Sequence, residues 1–425
     1  VRVALSHVGC KLNQAEIEAL ARAFAAAGHE VVTDLACADV HVVNTCTVTA
    51  EAARDSRRLA RRGGRAGRPL PTVVTGCHAT TSPEEMARIP GVALVVNNSD
   101  KQRLVEVVER HLLQVAPPAP QPASMPAPGR TRAAVKIQDG CSVGCTFCTV
   151  PRARGPAHSR PGSEVLAEVS RLVAGGAQEL VLTGVLISSY RSAGVDLPGL
   201  VEAILTRLPL RRLRLSSLSP WAIGPRELAM WSHPRLCRHV HLSLQSGCAA
   251  TLRRMQRPCT PEQFAAAVGR LRAAIPGVAI TTDVIVGFPG ETDEEFQESL
   301  AFVTALGFAR THVFGFSPRP GTAAATLPGQ LPAGLIRGRV AAMRAAAAAG
   351  QGAFVAGYVG QRVEVLWEGE RGGWREGHTD TYVTVRVPAA NLEADRWGWV
   401  EVERVDGGVA WGRPVAPAGE ASLAV

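Results

Sequence analysis

Lysine is almost missing from this chain: Lys11, Lys101 and Lys136 are the only three in 425 residues, so a formal charge of +9 is carried almost wholly by arginine. Arginine favours planar, bidentate contacts with phosphate, which makes an anionic partner plausible without naming one. Aromatic residues are scarce at 5%, and tyrosine occurs three times. No apolar run approaches the ~20 residues that span a bilayer, so no membrane attachment is expected. No basic-then-apolar leader opens the sequence either, and a cytoplasmic location is expected. Ten cysteines without an export signal make a poor disulfide framework, and read first as metal ligands or catalytic thiols.

What is present is alternation. Residues 1–114 alternate buried-strand runs at 2–8, 40–45, 72–75 and 92–96 with helical stretches near 13–27, 47–62 and 100–113, the pattern of an α/β domain with a parallel sheet. Residues 115–131 are a Pro/Ala-rich linker. From 132 to 353 the alternation resumes, with strands expected at 134–138, 179–183, 212–216, 239–244, 279–286 and 311–316. The helices between them include one started by Ser163. Six β/α units in series predict a barrel or partial barrel with its chemistry at the strand C-termini. Residues 354–415 change to period-2 stretches between Gly- and Asp-rich turns, a small antiparallel β-barrel. The fold class expected is therefore α/β with a terminal all-β module.

The segment KIQDGCSVGCTFCTVPRARG places Cys141, Cys145 and Cys148 at C-x3-C-x2-C spacing directly after a strand. Thiolates are the usual ligands of iron–sulfur clusters, and three of them leave one iron of a four-iron core open. A structural zinc site, with His158 as fourth ligand, is the alternative, although ten residues past Cys148 is awkward spacing. Further on, DVIVGFPGE (Asp283–Glu291) runs a strand into a Gly-Phe-Pro-Gly turn where backbone can approach a ligand. In the first domain Cys10, Cys46 and Cys77 each follow a strand, and ligands of an open α/β sheet gather at the carboxyl ends of its strands. Cys37, Cys237, Cys248 and Cys259 read as structural.

The cysteine spacing resembles the radical S-adenosylmethionine superfamily. The whole plan, with NTCTVT, TGC, QDGCSVGCTFC, PRARG, HVHLSLQSGC, TTDVIVGFPGETDEEF and SPRPGT, resembles the methylthiotransferases over roughly residues 2–414. The resemblance implies two [4Fe-4S] clusters, one on Cys141, Cys145 and Cys148 that cleaves S-adenosylmethionine, and an auxiliary one on Cys10, Cys46 and Cys77. It implies a C-terminal RNA-binding module of the TRAM type, and Asp283 and Ser243 are candidate cofactor contacts at strand ends. GCKLNQAE resembles the branch acting on N6-threonylcarbamoyladenosine at tRNA position 37, so the implied partner is the anticodon loop of tRNA, with an unidentified electron donor and sulfur source. Isopentenyladenosine-37 and a ribosomal-protein aspartate are the alternative substrates. Three positions depart from the family pattern: His158 in the HSR segment, Leu186 after the second barrel strand, and Ser219 before Pro220. For RNA, Arg54, Arg57, Arg58, Arg61, Arg62, Arg65 and Arg68 recur at helical spacing near Cys46, either a phosphate-binding stripe or a solvated face. The tail is less basic, with seven Arg against ten acidic residues over 357–413.

Overall fold

A computed structural model describes residues 1–65, 70–113, 131–389 and 396–416. The linker expected at 115–131 lies, Thr131 apart, outside the described residues. The first apolar runs form β1 (Arg2–His7), β2 (Glu30–Val32), β3 (Val40–Thr45), β4 (Thr72–Gly76) and β5 (Val92–Val95), a parallel sheet in the order β2-β1-β3-β4-β5. β3 is buried at every position, as a strand covered on both faces must be. β2 was not anticipated: three residues at a largely exposed edge give no pattern to read. Helix α1 (Lys11–Ala26) buries Leu12, Ile17, Leu20 and Phe24 at helical spacing, and α2 (Ala50–Ala60) starts at Thr49, whose side chain accepts from Ala52 N. The helix expected over 100–113 is instead a 3₁₀ segment, a short α-turn and a π-turn that opens at Glu109, whose carboxylate meets buried His29 at 3.0 Å.

The middle of the chain supplies β6 (Arg132–Lys136), β7 (Glu179–Thr183), β8 (Arg212–Leu215), β9 (Ser217–Leu218), β10 (His239–Leu242), β11 (Ala279–Val286) and β12 (Arg310–Gly315). They form two parallel sheets, β8-β7-β6 and β9-β10-β11-β12. Cys237 N donates to Leu213 O at 2.8 Å and joins the two into one arc, an open partial barrel with β6 and β12 at its edges. Two short helices sit at the strand C-termini: α3 (Cys77–Thr81) after β4 and α4 (Val150–Arg154) after the β6 loop. Helices α5 (Gly162–Ala174), α6 (Leu197–Arg207), α7 (Pro261–Ala274) and α8 (Asp293–Leu306) cover the outer face. Val135, Leu182, Leu213, Val240, Val284 and Phe264 build the main core between the two layers. Capping boxes Thr260/Gln263 and Thr292/Glu295 begin α7 and α8. Ser163 does not cap α5, which starts one residue earlier after Pro161 because proline presets the entry angle.

A 24-residue helix, α9 (Ala333–Ala356), carries the chain past residue 353 without a break. It packs Met343 into the main core and Val355 into the next. That next core fills a closed barrel of β13 (Arg362–Arg371), β14 (Trp374–His378), β15 (Thr384–Pro388), β16 (Trp397–Asp406) and β17 (Val409–Val415), in the order β13-β14-β15-β17-β16. Its pairings are antiparallel except β15–β17, which is parallel.

The loop between β14 and β15 plugs the middle domain where its strands begin. Tyr382 lies 3.5 Å below the Arg214 guanidinium and 4.9 Å from that of Arg132, and meets the His239 ring edge-on at 4.7 Å. Arg214 is fully buried; it donates to both Glu179 oxygens, at 2.9 and 3.2 Å, and to the carbonyls of Asp380 and Thr379. Truncating Glu179 leaves that guanidinium buried without a counter-charge. Glu179→Ala is expected to cost about 3–5 kcal/mol, read as a lower urea midpoint of the full chain, with Glu84→Ala, whose pair with Arg88 is exposed, costing under about 1 kcal/mol.

Candidate metal centres: two cysteine trios at one domain interface

β1, β3 and β4 are neighbours, so their carboxyl ends put three loops side by side. Cys10 occupies the N-cap of α1, Cys46 follows β3, and Cys77 opens α3. The loops meet closely because residue 9 is glycine. A Cβ on Gly9 would stand 2.7 Å from both Cβ and Sγ of Cys46, and its φ of +102° is open to glycine alone. Cys46 is fixed by Ser56, whose Oγ accepts from Cys46 N and donates to Cys46 O, both at 2.9 Å. Cys46 and Cys77 are buried and Cys10 is exposed, which leaves one open side. Burial pushes the Cys46 thiol up to about 12, and the neighbouring Cys77 and Cys10 push the same way.

The second trio lies on the loop after β6. Cys141 N donates to Gly155 O at 3.1 Å, and Cys148 N to Cys145 O at 3.1 Å. Thr146 anchors the loop to the 254–255 segment and to Ala324. Burial pushes Cys148 up to about 12, with Cys145 and Cys141 adding to it. Arg257 reaches the trio with Nη1 3.5 Å from Cys145 Sγ, while its Nη2 donates to the Ser243 carbonyl at 2.7 Å.

Burial penalises a thiolate and neighbouring thiolates repel, so three thiols gathered at one site ionise together only around a cation. Among the described residues, the trio whose ligand atoms all lie within 4.8 Å of one another is His241, Asp283 and His312; neither cysteine trio closes to that spacing. One zinc ion, with Zn–S of about 2.3 Å, draws its thiolates tighter than that. Three cysteine thiols per site are the donor set that fits an iron–sulfur core with one iron left open.

The trios belong to different domains yet face one interface. Arg154, six residues past Cys148, is 9% exposed and donates through Nε to Cys77 Sγ at 3.2 Å. Arg319 of the SPRPGT segment donates to Thr47 Oγ1 at 3.0 Å, beside Cys46. Asn98 Nδ2 donates to Ala153 O at 2.7 Å.

The comparisons with known proteins agree with this geometry. Residues 135–303 match the radical SAM superfamily, and residues 2–97 match the uncharacterized protein family UPF0004. Threonylcarbamoyladenosine tRNA methylthiotransferase MtaB of Bacillus subtilis is 36% identical over 90% of this chain and 89% of its own. The chain belongs to the radical SAM methylthiotransferase family. It is an enzyme. Relatives with other named substrates are nearly as similar. The tRNA-2-methylthio-N(6)-dimethylallyladenosine synthase of Novosphingobium aromaticivorans is 34% identical over 94% of both chains, and the ribosomal protein uS12 methylthiotransferase RimO of Roseiflexus castenholzii is 35% identical over 80% and 79%. Among solved structures, the radical S-adenosylmethionine methyltransferase TsrM of Kitasatospora setae shares the fold, with a TM-score of 0.59 at 18% identity over 76% of this chain and 75% of that one. Members of this family use S-adenosylmethionine and two [4Fe-4S] clusters.

Within the methylthiotransferase barrel, Asp283 faces the lumen. Burial raises its pKa, but the hydrogen bond from His241 Nε2 (3.2 Å) and the charges of His241, His312 and Arg257 outweigh burial and hold the carboxyl below its ordinary value. β10, β11 and β12 set His241, Asp283 and His312 on one face, Asp283 pairing in register with His312. Ser243 enters the site through its carbonyl, the acceptor for Arg257. Sequence reasoning named Asp283 and Ser243 but missed His241, His312, Arg257 and Arg154. The alternating His239–His241 pair on a barrel strand was the available signal for the first. Of the departures, His158 is exposed beside the first loop, Leu186 N is held by Gln138 Oε1 at 2.8 Å, and Ser219 Oγ accepts from Ser188 at 2.9 Å. Cys237, Cys248 and Cys259 are buried, whereas Cys37 is exposed on a 3₁₀ turn. No described helix is long and apolar enough to cross a membrane.

Gly9→Ala forces a methyl into Cys46 while leaving the second trio untouched. After anaerobic reconstitution of the full chain, bound iron and sulfide are expected to fall by about half, with the loss confined to one cluster in the EPR spectrum.

Proposed function

We propose that this enzyme inserts a methylthio group at C2 of N6-threonylcarbamoyladenosine at position 37 of tRNA, in the anticodon loop, with Cys141, Cys145 and Cys148 holding the radical-generating cluster and Cys10, Cys46 and Cys77 the auxiliary one. The observation that carries this reading is the meeting of two thiol trios at one interface, the first at the strand ends of a radical SAM barrel and the second at the strand ends of the sheet beside it. When bound, a cluster with an iron open to S-adenosylmethionine supplies a one-electron route to a radical able to take hydrogen from an unactivated C–H bond, which no side chain does by acid–base chemistry. The chain's own part is to hold and shield. Gly9 lets the Cys10 and Cys46 loops close together, Arg257 sets a cation at Cys145, and His241 orients the Asp283 carboxylate into the lumen where cofactor or substrate lies.

The threonylcarbamoyl substrate is supported by the GCKLNQAE segment and by relatives in Bacillus subtilis, Chlamydia pneumoniae and Thermotoga maritima that carry that name at 33–36% identity. tRNA as partner is supported by exposed Arg54, Arg58, Arg61 and Arg62 on and just beyond α2, the helix that follows Cys46. Arg54 and Arg58 spend part of their charge on Glu51 and Asp55 at 3.8 and 3.4 Å, pairs weak enough at the surface to exchange for phosphate. Arg68 and the side chain of Arg65 lie outside the described residues. The proposed RNA-binding module, residues 354–415, exposes Trp374 edge-on to Trp411 at 4.7 Å, with the Arg404 guanidinium 4.7 Å from the Trp411 ring. Stacking of that kind suits unpaired bases and compensates for the module's net acidity. The electron donor and sulfur source are separate partners.

Nucleoside mass spectrometry of tRNA from deletion and complemented strains tests the substrate. Loss of the 2-methylthio form of threonylcarbamoyladenosine alone is expected. Loss of the isopentenyladenosine derivative, or of a modified ribosomal-protein aspartate instead, would reassign it. In binding assays, Arg54→Ala/Arg58→Ala is expected to weaken tRNA affinity and lower the log–log salt slope by about 2.

A further inference from the structure

We propose that Arg154 is a positioning residue for the auxiliary centre: it ties the Cys77 ligand to the radical-generating loop and raises the reduction potential of the cluster held by Cys10, Cys46 and Cys77. The inference rests on the proposed assignment of that trio as a cluster site. It goes beyond that assignment in giving a role to a residue that is itself no ligand.

Arg154 belongs to the loop of Cys141, Cys145 and Cys148. α4 follows Cys148 at once, and the loop closes when Cys141 N donates to Gly155 O, the residue after Arg154. Its guanidinium nevertheless lies in the first domain. Nη1 donates to Glu16 at 2.8 Å and to Asp139 at 3.0 Å, Nη2 to Asn13 at 2.7 Å and to Glu16 at 3.2 Å, and Nε to Cys77 Sγ at 3.2 Å. The five donors thus meet acceptors on four residues, and the Nε donor, which the carboxylates leave over, is the one that meets sulfur.

Cations outnumber carboxylates around it. Lys101 donates to Glu16 at 2.7 Å, and Lys136 donates to Glu16 at 3.2 Å and to Asp139 at 3.1 Å. Three cations therefore share two carboxylates, with Arg154, Glu16 and Lys101 side chains at 2%, 4% and 7% exposure and Lys136 at 23%. Glu16 and Asp139 match the buried pair Arg154 and Lys101, and the Nε donor left over meets the Cys77 sulfur, where a charge-assisted hydrogen bond favours an anionic ligand. The network is built to hold a negatively charged ligand sulfur. A cation and a hydrogen bond at a ligand sulfur favour the reduced, more negative cluster, so they raise its potential. Because α4 continues the Cys148 loop, any shift of that loop is felt at Cys77 through six residues of chain.

The test uses the full-length chain with Cys141, Cys145 and Cys148 changed to Ala, so that one cluster reports. Iron and sulfide content, thermal midpoint and EPR-monitored redox titration are compared for Arg154, Arg154→Lys, Arg154→Gln and Asp139→Asn. The midpoint potential is expected to fall from the parent to Lys, which keeps charge but loses the Nε donor, and further to Gln. Asp139→Asn, which removes a negative charge from the same network, is expected to raise it. Should Arg154→Gln fail to hold iron, the Lys and Asn variants carry the comparison in opposite directions. A potential unchanged in the iron-replete Lys and Asn variants, with only the thermal midpoint moved, overturns the proposal and leaves Arg154 a buried ion pair. If instead Cys10/Cys46/Cys77→Ala in the same background retains the parent's iron, the cluster assignment itself fails and the role proposed for Arg154 falls with it.

Discussion

Glu16 is the residue on which the arrangement of the two domains depends. It stands on α1, one helical turn and a half beyond Cys10, and takes cations from three directions: Lys101 from its own domain, Lys136 from β6 and Arg154 from α4. Burial alone would drive its carboxyl towards protonation, yet those three cations hold it well below the usual carboxylate range. A buried ion cluster of this kind adds little net stability but penalises every misaligned docking, because each alternative leaves a charge buried alone. Here the correct docking is the one that brings the strand ends of sheet and barrel together. Glu18, two residues on, extends the same seam by accepting from Ala134 N on edge strand β6 at 3.2 Å.

The barrel is used differently at its two ends. Where strands begin, Arg132, Glu179, Arg212 and His239 are the first residues of β6, β7, β8 and β10, and they meet the C-terminal module. Arg212 donates to the Glu364 carboxylate at 2.7 Å, and Tyr382 fills the mouth. That end is closed and polar, and each of its arginines meets a carboxylate, Arg132 at Glu368, Arg212 at Glu364 and Arg214 at Glu179. Where strands end, loops carry the cysteines, Arg257 and the Asp283–His241 pair. The C-terminal module is therefore seated at the far end of the barrel from the chemistry. The aromatic contacts proposed for RNA on that module and the arginines of α2 would then hold one polynucleotide at widely separated points.

Much of this was legible in the sequence wherever a short-range pattern existed. The parallel strands could be read because burial on both faces makes them uniform apolar runs, and each cysteine could be placed because it directly follows one. The capping boxes at Thr260 and Thr292 have the same local character. What was not legible has no local signature. Arg154 sits in a run of arginines, and nothing in PRARG says that one guanidinium crosses to another domain. Tyr382 looks like any turn residue until its partners, 143 to 250 positions away, are known. Helix α9 escaped because its Ala- and Gly-rich middle carries no apolar stripe, although Met343 and Val355 dock it into two cores.

The scarcity of lysine takes on a different meaning once the interface is seen. Arg154 and Arg214 occupy buried sites where a planar fork with several donors is used, and an ammonium with three donors could not replace the four directed bonds of Arg214 or the five of Arg154. Of the three lysines, however, two converge on Glu16, whose oxygens are already engaged by the plane of Arg154. A third and fourth charge can reach those oxygens only as compact points at the end of a flexible stem. At 101 a single Nζ reaches Glu16 at 2.7 Å and Asn44 Oδ1 at 3.1 Å, a task for a compact ammonium with rotatable donors. Two of the chain's three lysines thus lie on the seam between sheet and barrel, where a compact charge completes what the Arg154 fork begins.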